Sequence, residues 1–355
     1  MTPPSVEIPS SKIGIWGKPR RRPLEWLIER GIRATAFVCL LLIALIFVFV
    51  FREALPIVLG KVKAVEITES VGESETYGED PAPTASQPKK DLELEAEASD
   101  EIIGVKHILG KEWQPVSLKP RFGILPLLLG SLKVTFIALL FAGPMGIFAA
   151  LYTSTLAPKW GKEFMKPTIE ILAGFPSVVV GFFALIVLAS IVQNLFGLQY
   201  RLNAFVGGLA MAIAVIPVIY TVSEDALAAV PKSFTEASLA VGASKWETAL
   251  RVILPAATPG IFAAVLLGFG RAFGETMIVL MATGNAAMLS PGFFEPVRTV
   301  SATIGAEMAE VVFGDTHYRM LFLLGSILFV ISFGLNAVAE FFVRNKLMKK
   351  FKGAS

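Results

Sequence analysis

The chain has 355 residues, 54% of them hydrophobic and 17% charged, with a formal charge of +3 and a mean hydropathy of +0.66. Such a hydropathy excludes a soluble globular domain and suits a polytopic membrane protein. Cys39, the sole cysteine, excludes an intrachain disulfide, and with His107 and His317 far apart in sequence no metal constellation forms; Gly-x4-Gly-Lys-Ser/Thr, the ATP-binding P-loop, is absent.

Crossing about 30 Å of hydrocarbon takes about 20 mostly apolar residues. Six segments qualify: 34–51, 125–153, 171–192, 205–222, 259–284 and 320–343. The first has too long an apolar stretch and no nearby small-residue cleavage site for a signal peptide, so an uncleaved anchor is expected. Lys133 in the second is expected to snorkel to the outer interface.

Lysine and arginine set the orientation. Basic residues crowd 1–33, 159–166, 232–251 and 344–352, whereas the short loops on the other side offer Arg201, Arg298 and Arg319. Both termini are therefore expected in the cytoplasm, with 1–33 and 346–355 as cytoplasmic segments. Residues 52–121 become one extracytoplasmic loop. Its acidic, Pro/Ser/Gly-rich middle, around 66–100, cannot bury enough apolar surface to offset its ordering entropy, so disorder is expected there.

After the fourth segment, on the cytoplasmic side, comes SFTEASLAVGASKWETALRVILP, 233–255, too polar to cross a bilayer. Ser233 with Glu236, and Ser244 with Glu247, have capping-box spacing. Gly242 stands between them, where a helix end needs a left-handed residue. The spacing predicts two short helices within 233–252, divided by a sharp turn, before Pro255 and Pro259 lead into the fifth span. A small, smooth first helix suits insertion into a groove of a cytoplasmic protein. An amphipathic connector on lipid headgroups is the plainer alternative, weakened by the lack of a Trp/Leu/Phe stripe.

Glu236-Ala237-Ser238, then Gly242, then Leu254-Pro255, resembles the EAA loop of ABC-importer permeases, with Ser238 in place of an Ala and Val252 in place of an Ile. The resemblance implies an all-α polytopic membrane protein with the type I ABC importer permease fold, and a loop that docks on a separate ATPase subunit through Glu236, Ala237, Gly242, Leu254 and Pro255.

Residues 268–285, GFGRAFGETMIVLMATGN, place Arg271 and Glu275 in the fifth span, where a charge costs at least about 2.5 kcal/mol and seeks a partner or an aqueous path. Their i,i+4 spacing predicts one helical face. The plain account is an ion pair that only fixes packing. Gly270 and Gly274 form a small-xxx-small pattern permitting close helix approach. Thr276 and Asn285 add hydrogen-bonding groups along a pathway or between helices. Pro176 and Pro217 are expected to bend the third and fourth spans or line a cavity.

Taken together with 112–154, 174–185 and 298–311, that stretch is similar to permeases of the high-affinity phosphate importer, the Pst system, and more to the PstC-type than the PstA-type subunit. The resemblance covers most of 112–345 and implies a permease core at 122–345. It implies a pairing with a PstA-type permease, a dimer of PstB-type ATPases, a PstS-type phosphate-binding protein outside, and inorganic phosphate as cargo in a lipid membrane. It implies no cofactor, no nucleic acid and no enzymatic activity in this chain. A planar guanidinium that cannot lose its proton suits phosphate. Glu275, which repels anions if ionised, would hold Arg271 and keep the site from becoming a trap. Another oxyanion, molybdate or sulfate, is the nearest alternative; an ion-coupled secondary transporter using Arg271 and Glu275 as a relay is the more distant one. Residues 298–319 are too polar for a span and predict a short outer or re-entrant helix, with Glu307 and Glu310 on a solvated face.

Overall fold

The computed structural model describes residues 23–60, 108–117 and 119–342. The acidic stretch 66–100, most of the basic N-terminal segment and the tail 346–355 lie outside the described residues. The chain divides into two units, Met1–Phe49 and Val50–Ser355.

In the first unit, the helix α1, Pro23–Val58, runs past both ends of the expected 34–51 and continues into the second unit. An ion pair between Glu29 and Arg33, with the acid N-terminal at i,i+4 spacing, supports its polar first turns. At 36 residues it is about 54 Å long, more than a hydrocarbon core requires.

Among its described residues the second unit is built from helices, with one two-residue antiparallel pair, β1 (Trp113–Gln114) against β2 (Arg121–Phe122). Trp113 and Phe122 are buried in a cluster with Ala54, Ile57, Leu127, Val300 and Met320. The ordered unit thus starts well upstream of residue 122, and residues 52–58 are helix, not loop.

Among the described residues six helices are long and apolar enough to cross a membrane. The second span is α2, Leu125–Leu151, extended by a π turn at Tyr152–Leu156. Lys133 on α2 reaches the loop that follows the fifth span, where its ammonium donates to the carbonyls of Ser290 and, at 2.9 Å, Gly292. The polar α3, Lys159–Ala173, follows. Residues 171–173 belong to it, and the third span starts at α4, Ser177–Phe183, passing through a π turn into α5, Ala189–Phe196. Pro176 causes the displacement. It forces Phe175 away from helical angles and sits harmlessly as the N-cap of the next helix. Pro176 therefore starts the span instead of interrupting it, whereas Pro217 lies inside α6, Ala204–Ala228.

The core lies where α2 and α6 meet, and small residues permit the approach. A methyl group added at Gly208 would lie 2.5 Å from Ile137 Cγ2. At Gly260 it would lie 2.3 Å from the Ala226 methyl.

Beyond α6 come two short helices, α7 (Lys232–Ala240) and α8 (Lys245–Thr248). A π turn at Ala249–Ile253 joins α8 to α9, Leu254–Phe273. The fifth span thus lies in the run Lys245–Phe273 and ends eleven residues before the expected 284. Residues 277–282 form a separate α10, Met277–Ala282. The unit closes with α11, Val300–Glu307, and α12, Thr316–Phe342.

Candidate functional site

The first candidate region is the pair α7 and α8. Gly242 has φ +89°, and the amide of Ala243 donates to the Ser238 carbonyl while that of Gly242 donates to Leu239. This double bond pattern closes a helix through a left-handed residue, as the sequence predicts. Ser244 and Glu247 form the expected capping box. The Ser244 amide and hydroxyl both donate to Glu247 Oε2, at 2.9 Å and 2.8 Å.

The box expected at Ser233 and Glu236 does not form. Pro231, with φ −58° and ψ 137°, takes the N-cap, so α7 starts early and Ser233 falls inside it. Ser238 instead reaches across the turn, its hydroxyl 2.9 Å from that of Thr248, which is 1% exposed.

Glu236, Ala237, Gly242 and Pro255 are exposed and Leu254 is half-buried. Val241 is 85% and Trp246 54% exposed. The pair therefore offers apolar surface on elements far too short to span a bilayer. The π turn falls just ahead of Pro255, whose ring clashes with a regular helix's carbonyl four residues back. The wider turn keeps α8 and α9 a single helical run.

The second region lies at the far end of that run. Arg271 sits in the last turn of α9 and is exposed, and no ion pair or hydrogen bond engages its side chain among the described residues. Gly274 ends the helix. Glu275 therefore does not share a helical face with Arg271 and forms no ion pair with it. Its Oε1 accepts from the amides of Thr276 at 3.2 Å and Met277 at 3.3 Å, neutralising exposed donors at the start of α10. Thr276 is the N-cap residue of α10 but caps with no side-chain bond. Its methyl group faces Gly305, where an added Cβ would lie 2.5 Å from Cγ2.

Asn285 belongs to a different set of contacts. It holds φ +48°, and its Oδ1 accepts from Arg298 Nε at 3.0 Å. Arg298 Nη1 reaches Glu307 Oε1 at 2.6 Å, His317 Nε2 lies 2.8 Å from Oε2, and Trp113 Nε1 donates to both oxygens at 3.2 Å. Glu307 is 13% exposed at its side chain, so the expected solvated face is wrong for it, though Glu310 is exposed. Sequence reasoning missed Trp113, Arg298 and His317 as its partners because the fold alone brings them together.

The family described as binding-protein-dependent transport system inner membrane component matches residues 142–346. The chain is 36% identical over 229 residues to the probable ABC transporter permease protein YqgH of Bacillus subtilis, covering 64% of this chain and 74% of that protein. It is 34% identical over 258 residues to the phosphate transport system permease protein PstC of Mesorhizobium japonicum, covering 67% and 78%. Against PstC of Xylella fastidiosa the identity is 30% over 259 residues, covering 68% and 79%.

Proposed function

The chain belongs to the binding-protein-dependent transport system inner membrane component family, and from that premise we propose that it is the PstC-type permease subunit of an ATP-driven phosphate importer. As a multi-pass membrane protein it forms one half of a transmembrane pair with a PstA-type permease. A phosphate-binding protein delivers cargo outside, a dimer of ATPase subunits docks inside, and both termini of this chain lie in the cytoplasm. The relatives named as phosphate transport permeases support the cargo.

One observation carries the mechanism. The helical run Lys245–Phe273 has α8, the second helix of the coupling pair, at its start and Arg271 in its last turn. Its 29 residues correspond to about 43 Å of helix. A displacement of α8 by a docked ATPase is carried toward Arg271 along one continuous helical run, through the π turn at Ala249–Ile253 and past Pro259. Val241 and Trp246 supply apolar anchors for the ATPase groove.

At the other end, the exposed guanidinium of Arg271 offers a planar pair of donors to phosphate oxygens. Its freedom from Glu275 leaves it available to the anion, and Glu275, spent on the backbone of α10, adds no direct partner. Thr276 lines the same break. ATP chemistry belongs to the separate ATPase.

The test is purification in mild detergent from cells expressing the whole transporter, followed by reconstitution into vesicles. Co-purification of an ATPase and a second permease, with ATP-dependent uptake of labelled phosphate, is the expected result. Uptake of molybdate or sulfate in its place would reassign the cargo, and isolation without an ATPase would reject the transporter class.

A further inference from the structure

Glu307 plays no part in the transport reading above, yet its carboxylate gathers three separate segments. Arg298 comes from the connection leading to α11, His317 from the first turn of α12, and Trp113 from β1. Both oxygens are fully used. A carboxylate this enclosed is costly unless paired, and removing a partner strands charge, so the arrangement fixes its neighbours closely.

What it fixes is α11. A helix of eight residues is too short to persist alone. It is held at its start, where the Val300 amide donates to Ser131 Oγ at 2.9 Å, and at its end by Glu307. In between, Ser301 Oγ donates to the Glu275 carbonyl at 2.6 Å, and Gly305 abuts the Thr276 methyl. The start of α10 therefore rests on α11. The other end of α10 rests on the segment leading to α11: Arg298 holds Asn285, and the neighbouring Val297 amide donates to the Thr283 carbonyl at 3.0 Å. Both ends of a six-residue helix trace back to one carboxylate.

We propose that Glu307 is a positioning residue for transport: through α11 and Arg298 it sets the placement of the Glu275–Thr276 break and α10 beside Arg271. Contact with phosphate is not part of its role. The proposal rests on the phosphate-permease reading for its transport consequence, but its structural core can be read without any cargo.

The experiment uses the full transporter, purified with its ATPase and second permease, in a Cys39→Ser background with a single reporter, Met277→Cys, at the exposed first residue of α10. A small maleimide reports accessibility there, and Thr258→Cys on α9 serves as the control position. With Glu307→Gln, labelling at 277, where Met277 is 40% exposed, is expected to rise about twofold as α10 loosens, with labelling at 258 unchanged. In the chain without reporters, Glu307→Gln is expected to lower phosphate uptake about tenfold while stimulated ATP hydrolysis stays within about twofold. A purely structural role would lower assembly, uptake and hydrolysis together.

Arg298→Lys keeps a cation beside Glu307 but lacks the second nitrogen that reaches Asn285. It is expected to assemble and to raise labelling at 277 in the same direction, so it decides the question if Glu307→Gln fails to assemble. Unchanged labelling at 277 in the assembled variants would overturn the proposal. If the unaltered complex takes up no phosphate, the cargo assignment fails, and the labelling rates still judge Glu307.

Discussion

The hydroxyls of Ser238 and Thr248 meet at 2.9 Å across the Gly242 turn, joining the short helices α7 and α8. Thr248 also donates to the Ser244 carbonyl, so it serves both the cap of its own helix and the link to the other. Ser238→Ala removes the cross-link and leaves the rest of the turn in place. A loss of about 1 kcal/mol is expected. Assembly with the ATPase should persist, with a modest fall in uptake for each ATP hydrolysed; a ratio equal to that of the unaltered protein would show that the pair moves as one body without this bond.

Gly242→Val is expected to be much more severe. Its φ of +89° is costly for any residue with a Cβ, by about 1–2 kcal/mol, and branching adds to it. The chain should still insert, but α7 and α8 should lose their fixed angle. Binding-protein-stimulated ATP hydrolysis is the measurement, and a full response would separate the pair from coupling.

Gly208→Ala tests the packing of α2 on α6. The added methyl would meet Ile137 Cγ2 at 2.5 Å and the Val134 carbonyl at 3.2 Å. Overpacking of about 1–3 kcal/mol is expected, read as a lower midpoint of thermal unfolding in detergent. An unchanged midpoint would contradict the close helix contact.

Lys166 on α3 pairs with Glu224 at 2.8 Å, and that hydrogen bond raises the ammonium above its ordinary 10.5. A raised folded-state value adds stability that is complete below the unfolded value and disappears as pH climbs through the folded one. The expected result is a thermal midpoint that falls above about pH 10.4 more steeply in the parent than in Lys166→Met. Because Lys166 is well exposed, the difference should be small. Parallel profiles would show that the pair contributes nothing.

Much of this architecture is legible in the sequence wherever the determinant is local. Apolar length marks all six spans, and Gly242 followed by the Ser244 box marks the turn between α7 and α8, because each feature acts within a few residues. The errors arise where one local rule overrides another. Pro231 displaces the Ser233 cap, Pro176 detaches residues 171–173 from the third span, and the helix end at Gly274 breaks the spacing that suggested an Arg271–Glu275 pair. The Glu307 contacts are a different case: Trp113 lies 194 residues away in sequence, and no short-range pattern announces a partner at that distance. Acidic residues at 307 and 310 look alike until the fold buries one of them.

The measurement that bears most directly on the account is phosphate uptake per assembled complex for Arg271→Gln, with Arg271→Lys and the double variant Arg271→Gln/Glu275→Gln beside it. Among the described residues Arg271 has no ion pair to break, so Arg271→Gln should assemble normally and hydrolyse ATP, yet transport no phosphate. Arg271→Lys, which keeps the charge but loses the two-donor plane, should retain part of the activity. The double variant should remain inactive, since Glu275 serves the α10 backbone. Near-normal uptake by Arg271→Gln, or its recovery in the double variant, would contradict a phosphate contact at Arg271.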